Sequence, residues 1–141
     1  DISSKIGSQS VVVILDVKRN LFGKYEVFTH NGKVRTNKKP IELAKLAVKF
    51  GAGEVVINSI DLDGAMSGYD LILAKNLRDA VNVPISIMGG AANLNDMKNL
   101  FNTCGVVGAI AGSLFVFKGP LKAVLINYPY GIEKDNLVEN N

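Results

Sequence analysis

The sequence of 141 residues contains a single cysteine, a single histidine and few aromatic side chains, 7% in total. One cysteine, Cys104, cannot support a disulfide framework, which favours a protein of the reducing cytoplasm. No cluster of His, Cys and Asp has the spacing of metal ligands, and neither a Walker nor a dinucleotide-binding motif is present. The sequence therefore predicts no metal and no cofactor, and Cys104 is expected to be a small buried side chain.

Strong charge and long apolar runs are also missing. The formal net charge is only +3, and Lys and Arg are spread along the chain without interleaved aromatic residues, which argues against a nucleic-acid surface. The longest apolar runs fall well short of the roughly 20 residues that cross a bilayer, and no signal peptide is recognisable. We therefore expect a cytoplasmic protein that binds neither nucleic acid nor a membrane.

What the chain does contain is a repeated alternation of strand and helix signals. Continuous β-branched runs, typical of parallel strands covered on both faces, alternate with amphipathic helical segments. The strands are predicted at 11–16, 54–60, 83–88 and 106–111, and the helices at about 40–51, 69–81, 93–105 and 120–127. Four β-α units in succession predict a parallel sheet with right-handed crossovers.

A hairpin, a tail and the chain length complete this outline. Segments 25–28 and 33–36 flank an Asn-Gly turn, which predicts a β-hairpin inserted after the first strand. Residues from about 130 to 141 are predicted to form a polar tail that frays from Asp135 onwards. The chain 1–141 is predicted to be one domain. Because a complete (β/α)8 barrel typically needs about 250 residues, it is either part of a barrel or another fold.

The most informative segments are Ser86–Ala91 and Gly108–Phe115. Each is an apolar run that ends in glycine or serine, as expected of a buried strand that stops at an exposed backbone turn. Two such turns in succession, each leading into a helix, present free N–H groups that can bind a phosphate. The last two strands of a (β/α)8 barrel commonly bind one in this way. The alternative is that the glycines only permit tight strand-to-helix turns.

Acidic residues follow the predicted strands, where ligands bind in such folds. Asp16 ends the first strand beside Lys18 and Arg19, and is predicted to be either a general acid/base or a salt-bridged carboxylate at the rim. The loop 61–70 combines glycines with acids that can accept hydrogen bonds from sugar hydroxyls. A calcium site is the alternative there, although the spacing and terminal glutamate of an EF-hand are missing. Glu54, at the opposite end of its strand, is expected to meet solvent or a lysine.

Seven segments occur in the order and at the spacing found in one known family. They are Val11–Arg19, Tyr25–His30, Gly51–Glu54, Ser59–Gly64, Ser67–Asp70, Gly89–Ala91 and Ala111–Phe115. Through them, residues 8–117 resemble the carboxyl-terminal half of the cyclase subunit of imidazole glycerol phosphate synthase. The resemblance implies an α/β fold of four parallel β-α units that form half of a TIM (β/α)8 barrel.

That family is built from two similar half-barrels, and its reaction uses ammonia released by a glutaminase partner. The ammonia travels through the barrel and reacts with a phosphoribulosyl-formimino-carboxamide nucleotide, giving imidazole glycerol phosphate and an aminoimidazole carboxamide ribotide. The resemblance therefore implies a lyase or synthase of histidine biosynthesis, a phosphorylated nucleotide substrate and a glutaminase partner.

The resemblance also implies roles for individual residues. Asp16 matches the second of the family's two catalytic aspartates, a general acid/base. Glu54 matches an acid of the charged ring through which ammonia enters, and Gln9 matches a polar residue that lines the barrel interior. The residues that match the binding group for one of the substrate's two phosphates are Asp63, Gly64, Gly90, Gly112 and Ser113.

The chain departs from this family in several ways. The first half is absent, and with it the first catalytic aspartate, a catalytic lysine and the other phosphate site. Met88 stands where serine is usual, Ala65 where threonine is usual and Val116 where histidine is usual. Segments 112–119 and 124–129 look more like a paralogous branch that serves the amidation of a surface-polysaccharide sugar, again with a glutaminase partner.

Two alternatives to the histidine cyclase therefore stay open: the sugar-amidation subunit, and a half-barrel that binds a phosphorylated ligand but catalyses nothing alone. A half-barrel also leaves an apolar inner face uncovered, which Val11, Val13, Ile57, Ile85 and Ile87 are candidates to line. On the order of a few hundred Å² of bare apolar surface, at about 25 cal/mol per Å², corresponds to several kcal/mol. We therefore expect two chains to associate, and the isolated chain to turn over the nucleotide negligibly.

Overall fold

The structure, a computed structural model, describes residues 2–119 and 121–138. Six strands form its central sheet: β1 (Val12–Arg19), β2 (Tyr25–Thr29), β3 (Val34–Arg35), β4 (Glu54–Ser59), β5 (Ile85–Met88) and β6 (Gly108–Ile110). Their order across the sheet is β3-β2-β1-β4-β5-β6, and β1, β4, β5 and β6 run parallel. Four parallel strands side by side in chain order form half of a (β/α)8 barrel, so the predicted fold class is confirmed.

The predicted hairpin is confirmed as well, and it consists of β2 and β3. β2 pairs only with the last part of β1, from Asp16 opposite Phe28 to Arg19 opposite Tyr25. The hairpin therefore extends the sheet at the end where β1 stops. The first residues of β1 have no neighbouring strand on that side within the described part of the chain.

Helices connect the parallel strands. After a short α1 (Ile2–Ile6), they are α2 (Pro40–Lys49), α3 (Leu71–Ala80) and α4 (Leu94–Cys104). Proline in the first turn starts α2. The Asp70 carboxylate accepts from the Leu73 N–H at the start of α3, and Asn93 and Asp96 form a capping box at α4. These side chains explain why the three helices begin within two residues of their predicted starts.

One face of the sheet is covered by these helices. Successive side chains of a strand point to opposite faces, and the register aligns Leu15, Ile57 and Ile87 on the same face. All three are buried. They form a core with side chains of the helices, among them Ala44, Leu73, Leu77 and Leu100.

The other face, which we call the open face, carries no helix in the described residues. It consists of Val12, Ile14, Asp16, Lys18, Glu54, Val56, Asn58, Ser86, Met88, Gly108 and Ile110. Val12 is 49% exposed and Ile14 58% exposed, so an uncovered apolar area exists as predicted. Of the five residues predicted to line it, Val11 precedes β1, and the prediction is wrong for the other four. Val13, Ile57, Ile85 and Ile87 lie on the helix-covered face, because an unbroken apolar run does not show which alternate residues face the helices.

The chain after β6 differs from the prediction. The prediction of a helix at about Pro120–Asn127 is wrong for residues 121–127, and Pro120 itself lies outside the described residues. The chain instead forms α5 (Ser113–Val116), β7 (Phe117–Lys118), β8 (Ala123–Val124) and α6 (Gly131–Val138). Gly119 and Lys122, in the turn between β7 and β8, have φ angles of 72° and 49°, which no α-helix accommodates.

The helix of the fourth unit is α6, which contacts α4. Its Leu137 packs against the core, so the prediction of a frayed tail from Asp135 is wrong as far as Val138. The remainder of the predicted tail, 139–141, lies outside the described residues. No helix in 2–119 or 121–138 is long and apolar enough to cross a membrane.

Candidate functional site

The carboxyl ends of β4, β5 and β6 surround a cavity of about 190 Å³. The loop after β4 contributes Asp63 and Gly64, the turn after β5 contributes 88–91, and the turn after β6 contributes 110–113. The structure thus brings together all five residues that the resemblance assigns to phosphate binding. Their convergence follows from the parallel sheet, in which the carboxyl ends of neighbouring strands meet at one edge; their binding role stays a prediction.

The two glycines after β5 are required by packing. Gly89 and Gly90 have φ angles of 94° and 104°, which side chains other than hydrogen rarely permit. A Cβ on Gly90 would lie 2.0 Å from the carbonyl oxygen of Gly68, and one on Gly89 would lie 2.6 Å from that of Ser59. The Gly68 N–H donates to the Gly90 carbonyl at 2.8 Å. The tight-turn interpretation therefore explains these two glycines.

Gly112 has a different environment. Its φ of −113° is open to any residue, and apart from its chain neighbours no atom of the described residues lies within 4 Å of the place that a Cβ would take. On the opposite side of the cavity, a Cβ on Gly64 would lie 3.9 Å from the Ser113 hydroxyl oxygen. Neither backbone geometry nor packing requires a glycine at 112, so the empty space beside it is available to a ligand.

Tyr69 holds the loop 61–70 against the turn after β6. Its hydroxyl donates to the Ile110 carbonyl at 3.1 Å, and its ring is buried. Burial, followed by the charge of Asp96, raises the pKa of Tyr69 to about 12. The phenol therefore remains a hydrogen-bond donor at neutral pH, and the loop is fixed relative to 112–113.

Asp70 holds the end of the same loop. Its carboxylate accepts from the Arg19 guanidinium at 2.9 Å, the Tyr25 hydroxyl at 2.9 Å and the Leu73 N–H at 3.0 Å. The hydrogen bond to Asp70 raises the pKa of Arg19; burial, and then the bond to Asp70, raise the pKa of Tyr25. The Arg19 N–H also donates to Asp61 at 3.0 Å. β1 and β2 thus fix both ends of the loop.

A larger cavity of about 420 Å³ lies beside this network, between the ends of β1 and β2 and the start of α3. None of the residues to which the resemblance assigns a role lines it, although Asp61 and Asp70 of the loop 61–70 do. Both carboxylates that line it already have partners: Asp70 accepts from the Arg19 guanidinium, and Asp61 accepts from the backbone N–H of Arg19. The 190 Å³ cavity is therefore the better candidate site, although it is the smaller of the two.

Asp16 lies on the open face, where Oδ1 of its carboxylate accepts from Nδ2 of Asn58 at 3.0 Å. The salt-bridged alternative is wrong within the described residues. Arg19 pairs with Asp70, and the Lys18 ammonium lies 5.5 Å from the centre of the Phe28 ring. A carboxylate on the open face without a cationic partner remains able to exchange a proton.

Glu54 and Gln9 lie at the amino ends of the strands. Glu54 is half-buried, and one oxygen of its carboxylate accepts from the hydroxyl of the buried Ser86 at 2.6 Å. No lysine forms an ion pair with it among the described residues, so the expected lysine partner is wrong. A Cβ on Gly108 would lie 2.1 Å from the Ser86 hydroxyl oxygen, and glycine there leaves room for this pair. Gln9 is exposed in a 3-10 turn before β1. This turn packs closely on Gly53, since a Cβ built on Gly53 would lie 2.9 Å from the Cα of Gln9.

Sequence reasoning missed the roles of Asn58, Ser86 and Tyr69. Asn58 and Ser86 had a local signal, since Asn58 follows the apolar run 55–57 of β4 and Ser86 is the polar residue within the otherwise apolar β5. Tyr69 had none, because its partner lies 41 residues away. Cys104 is buried as predicted, and burial raises the pKa of its thiol. No group of three or more His, Cys, Asp or Glu residues in the part of the chain that the structure describes could hold a metal.

Comparison with known proteins identifies the family that this chain resembles in sequence. A family model described as "Histidine biosynthesis protein" matches residues 1–121. A Leptospira interrogans protein named "Putative imidazole glycerol phosphate synthase subunit HisF" is 52% identical over 94% of this chain and 52% of its own length. A Vibrio vulnificus protein named "Putative imidazole glycerol phosphate synthase subunit hisF3" is 48% identical over 98% of this chain and 54% of its own.

A third relative, the "Imidazole glycerol phosphate synthase subunit HisF" of Alkaliphilus metalliredigens, is 39% identical over 82% of this chain and 46% of its own length. The chain therefore spans about half the length of the curated relatives that it matches.

Proposed function

Because the chain belongs to the histidine biosynthesis protein family, we propose that it is the carboxyl-terminal half of the cyclase subunit of imidazole glycerol phosphate synthase. In this reaction, ammonia combines with a phosphoribulosyl-formimino-carboxamide nucleotide to give imidazole glycerol phosphate and an aminoimidazole carboxamide ribotide. The observation that carries the proposal is the 190 Å³ cavity, lined by five candidate phosphate-binding residues, at the edge of the sheet toward which β1 carries Asp16.

The cavity binds one phosphate of the substrate. Backbone N–H groups of the turns 89–91 and 112–113 donate to its oxygens, and the Ser113 hydroxyl adds a donor. The free space at Gly112 allows the phosphate to approach the backbone. Asp63 is exposed and negatively charged, so its role is to accept a hydrogen bond from a substrate hydroxyl beside the phosphate.

Asp16 acts as a general acid/base on the open face. Such a group needs its opposing acid or base within reach of the same substrate, and the family's other catalytic aspartate belongs to the half-barrel that this chain does not include. We therefore expect negligible turnover by the chain alone.

Ammonia enters at the amino ends of the strands, where Gln9 and Glu54 lie. The Ser86 hydroxyl binds one oxygen of the Glu54 carboxylate, which leaves the other oxygen for the charged ring of the entrance. A glutaminase subunit docks at this end and supplies the ammonia. The single buried thiol of Cys104 is in keeping with a cytoplasmic location.

The isolated chain self-associates through its open face. Val12 and Ile14 are about half exposed there, and Ile110 is 36% exposed. β6 and the first residues of β1 are edge strands, which favour pairing with another chain. Sedimentation is expected to show a dimer that the substitution Ile14→Lys dissociates, whereas a stable monomer at micromolar concentration would contradict this arrangement.

The second candidate is the subunit for amidation of a surface-polysaccharide sugar. It is favoured by the resemblance of segments 112–119 and 124–129, which contain β7 and the last residue of β8. Genes for polysaccharide synthesis beside this one would support it, and genes for histidine synthesis would support the cyclase.

The decisive experiment completes the barrel with the amino-terminal half of the Leptospira interrogans relative and supplies ammonium and the nucleotide substrate. We expect turnover, and the substitution Asp16→Asn should lower kcat by about 10²–10⁴-fold. Asp79→Asn, which removes an exposed carboxylate on α3, is the matched control and should be active. No turnover by the completed barrel, or full activity of Asp16→Asn, would contradict the proposal.

A further inference from the structure

Asn58 is a polar residue at the end of an apolar run on β4, and its side chain lies on the open face. Its Nδ2 donates to Oδ1 of Asp16 at 3.0 Å, between neighbouring positions of the paired strands β1 and β4. We propose that Asn58 is a positioning residue that determines which carboxylate oxygen of Asp16 exchanges the proton. The inference rests on the proposed function, in which Asp16 is the general acid/base.

The orientation of the amide follows from its chemistry. The reverse orientation would place Oδ1 of Asn58 against the carboxylate, so that two acceptors would face each other. With Nδ2 toward Asp16, a donor meets an acceptor. No hydrogen bond to Oδ2 of Asp16 occurs among the residues that the structure describes. Oδ1 is therefore occupied in accepting, and Oδ2 is the oxygen that takes up or releases the proton.

The carbonyl oxygen of the Asn58 side chain lowers the stability of the fold. Oδ1 of Asn58 is buried and has no hydrogen-bond partner within 2–119 and 121–138, and a buried acceptor without a partner destabilises a fold. Leucine, which has nearly the same shape, would avoid this cost and would continue the apolar run. β4 therefore carries an unfavourable side chain whose hydrogen bond goes to the candidate general acid/base, as is typical of functional positions.

Ser59 offers a matched control at the next position. Its hydroxyl is also buried without a partner in the described chain, but it lies on the helix-covered face, away from Asp16. The substitution Ser59→Ala therefore removes a buried polar group and leaves the Asp16–Asn58 pair intact.

The kinetic test uses the completed barrel with ammonium as the nitrogen source. Asn58→Leu is expected to lower kcat about 10–100-fold, by analogy with the loss of residues that hydrogen-bond and orient the ligands of a metal. KM for the nucleotide should change less than about twofold, because substrate binding is untouched, and the melting temperature should not fall. Ser59→Ala should keep the kcat of the parent chain. A parental kcat in Asn58→Leu would overturn the inference.

The pH profile of Asn58→Asp distinguishes a positioning role from a structural one. This variant puts a second carboxylate against Asp16, and two carboxylates in contact share a proton. The other charged side chains on the same face of the sheet as Asp16 are Lys18 on β1, Glu26 on β2 opposite Lys18, its ion-pair partner Arg35 on β3, and Glu54 on β4, and the residue of β2 directly opposite Asp16 is the uncharged Phe28. Because these groups are unchanged, the acidic limb of the kcat profile should move about one pH unit or more upward. An unmoved limb would overturn the inference.

An NMR measurement that does not depend on turnover can show whether this inference fails or the proposed function fails. In the isolated chain, the side-chain amide protons of Asn58 should change their NMR shifts in Asp16→Leu and keep them in Asp79→Asn. If the completed barrel shows no turnover, the proposed function fails, and this spectrum decides whether Asn58 holds Asp16. Identical amide shifts in the parent chain and in Asp16→Leu would overturn the contact.

Discussion

The two faces of the parallel sheet are made by alternate residues of the same four strands, yet they carry different side chains. On the helix-covered face, Leu15, Ile57 and Ile87 are apolar and buried. The open face carries both apolar and polar residues, and polar residues form hydrogen bonds between strands, Asp16 with Asn58 and Glu54 with Ser86.

This difference separates folding from chemistry within each strand. The covered face stabilises the fold by removing apolar surface from water. The open face contributes little to that core, because Val12 and Ile14 remain about half exposed. Instead it presents one polar pair at each end of the strands. We expect substitutions on the covered face to act on stability, and substitutions on the open face and at its carboxyl rim to act on binding, association and turnover.

The largest expected effect tests this division directly. Ile57 on the covered face is fully buried, and Ile14 on the open face, which pairs with the residue before Ile57, is 58% exposed. Ile57→Ala should lower the free energy of unfolding by about 2–5 kcal/mol through lost burial and a cavity. Ile14→Ala should change it by less than about 0.5 kcal/mol at a concentration where the chain is monomeric. Urea unfolding of both variants measures these changes in the free energy of unfolding. Equal losses would mean that the two faces contribute equally to stability.

The second effect concerns the rim of the open face. Gly90→Ala should destabilise the chain by about 1–3 kcal/mol, because its positive φ is unfavourable for alanine and the methyl group would meet the Gly68 carbonyl. Gly112→Ala should leave unfolding unchanged within about 0.5 kcal/mol and weaken phosphate binding, since its methyl group enters the cavity. If Gly112→Ala destabilised the chain and left binding intact, Gly112 would be a structural glycine like Gly90.

The third effect is smaller. Tyr69→Phe removes the hydrogen bond to the Ile110 carbonyl and should cost about 0.5–1.5 kcal/mol of unfolding free energy. The loop 61–70 should also become easier to cleave, so limited proteolysis of the variant is the second measurement. An unchanged cleavage rate would mean that the Asp70 network alone holds the loop.

The smallest effect at neutral pH is the titration of Tyr69. Its pKa is raised from 10 to about 12, so the fold favours the protonated phenol. This contribution to stability is fully present below pH 10 and is lost as pH rises from about 10 to about 12. Tyrosinate absorbance of the folded chain should therefore rise over a range that extends higher than in Tyr69→Phe. Superimposable titration curves of the two proteins would contradict the burial of this hydroxyl.

Much of the fold could be predicted from local patterns. The Asn-Gly turn gives the hairpin, and the apolar runs separated by amphipathic segments give the parallel units. The face of each strand could not be predicted, because runs such as Val55-Val56-Ile57 are apolar throughout. The helix predicted at about 120–127 failed because an apolar segment can satisfy its backbone in a hairpin as well as in a helix.

The candidate site was predictable where it depends on strand ends. Asp63, Gly64, Gly90, Gly112 and Ser113 follow successive parallel strands, so their convergence follows from topology. Contacts between distant segments were not predictable. Arg19 and Asp70 are 51 residues apart, and neither residue carries a local sign of its partner.

If the carboxyl ends of β4, β5 and β6 converge on an anion, they should bind inorganic phosphate, which can be followed by an NMR titration of the chain at constant ionic strength. We expect saturable shifts of the backbone amides of 89–91 and 112–113, with little change at Gly53 and Gln9 at the opposite end. Amides that do not shift, or shifts without saturation scattered over the surface, would contradict it.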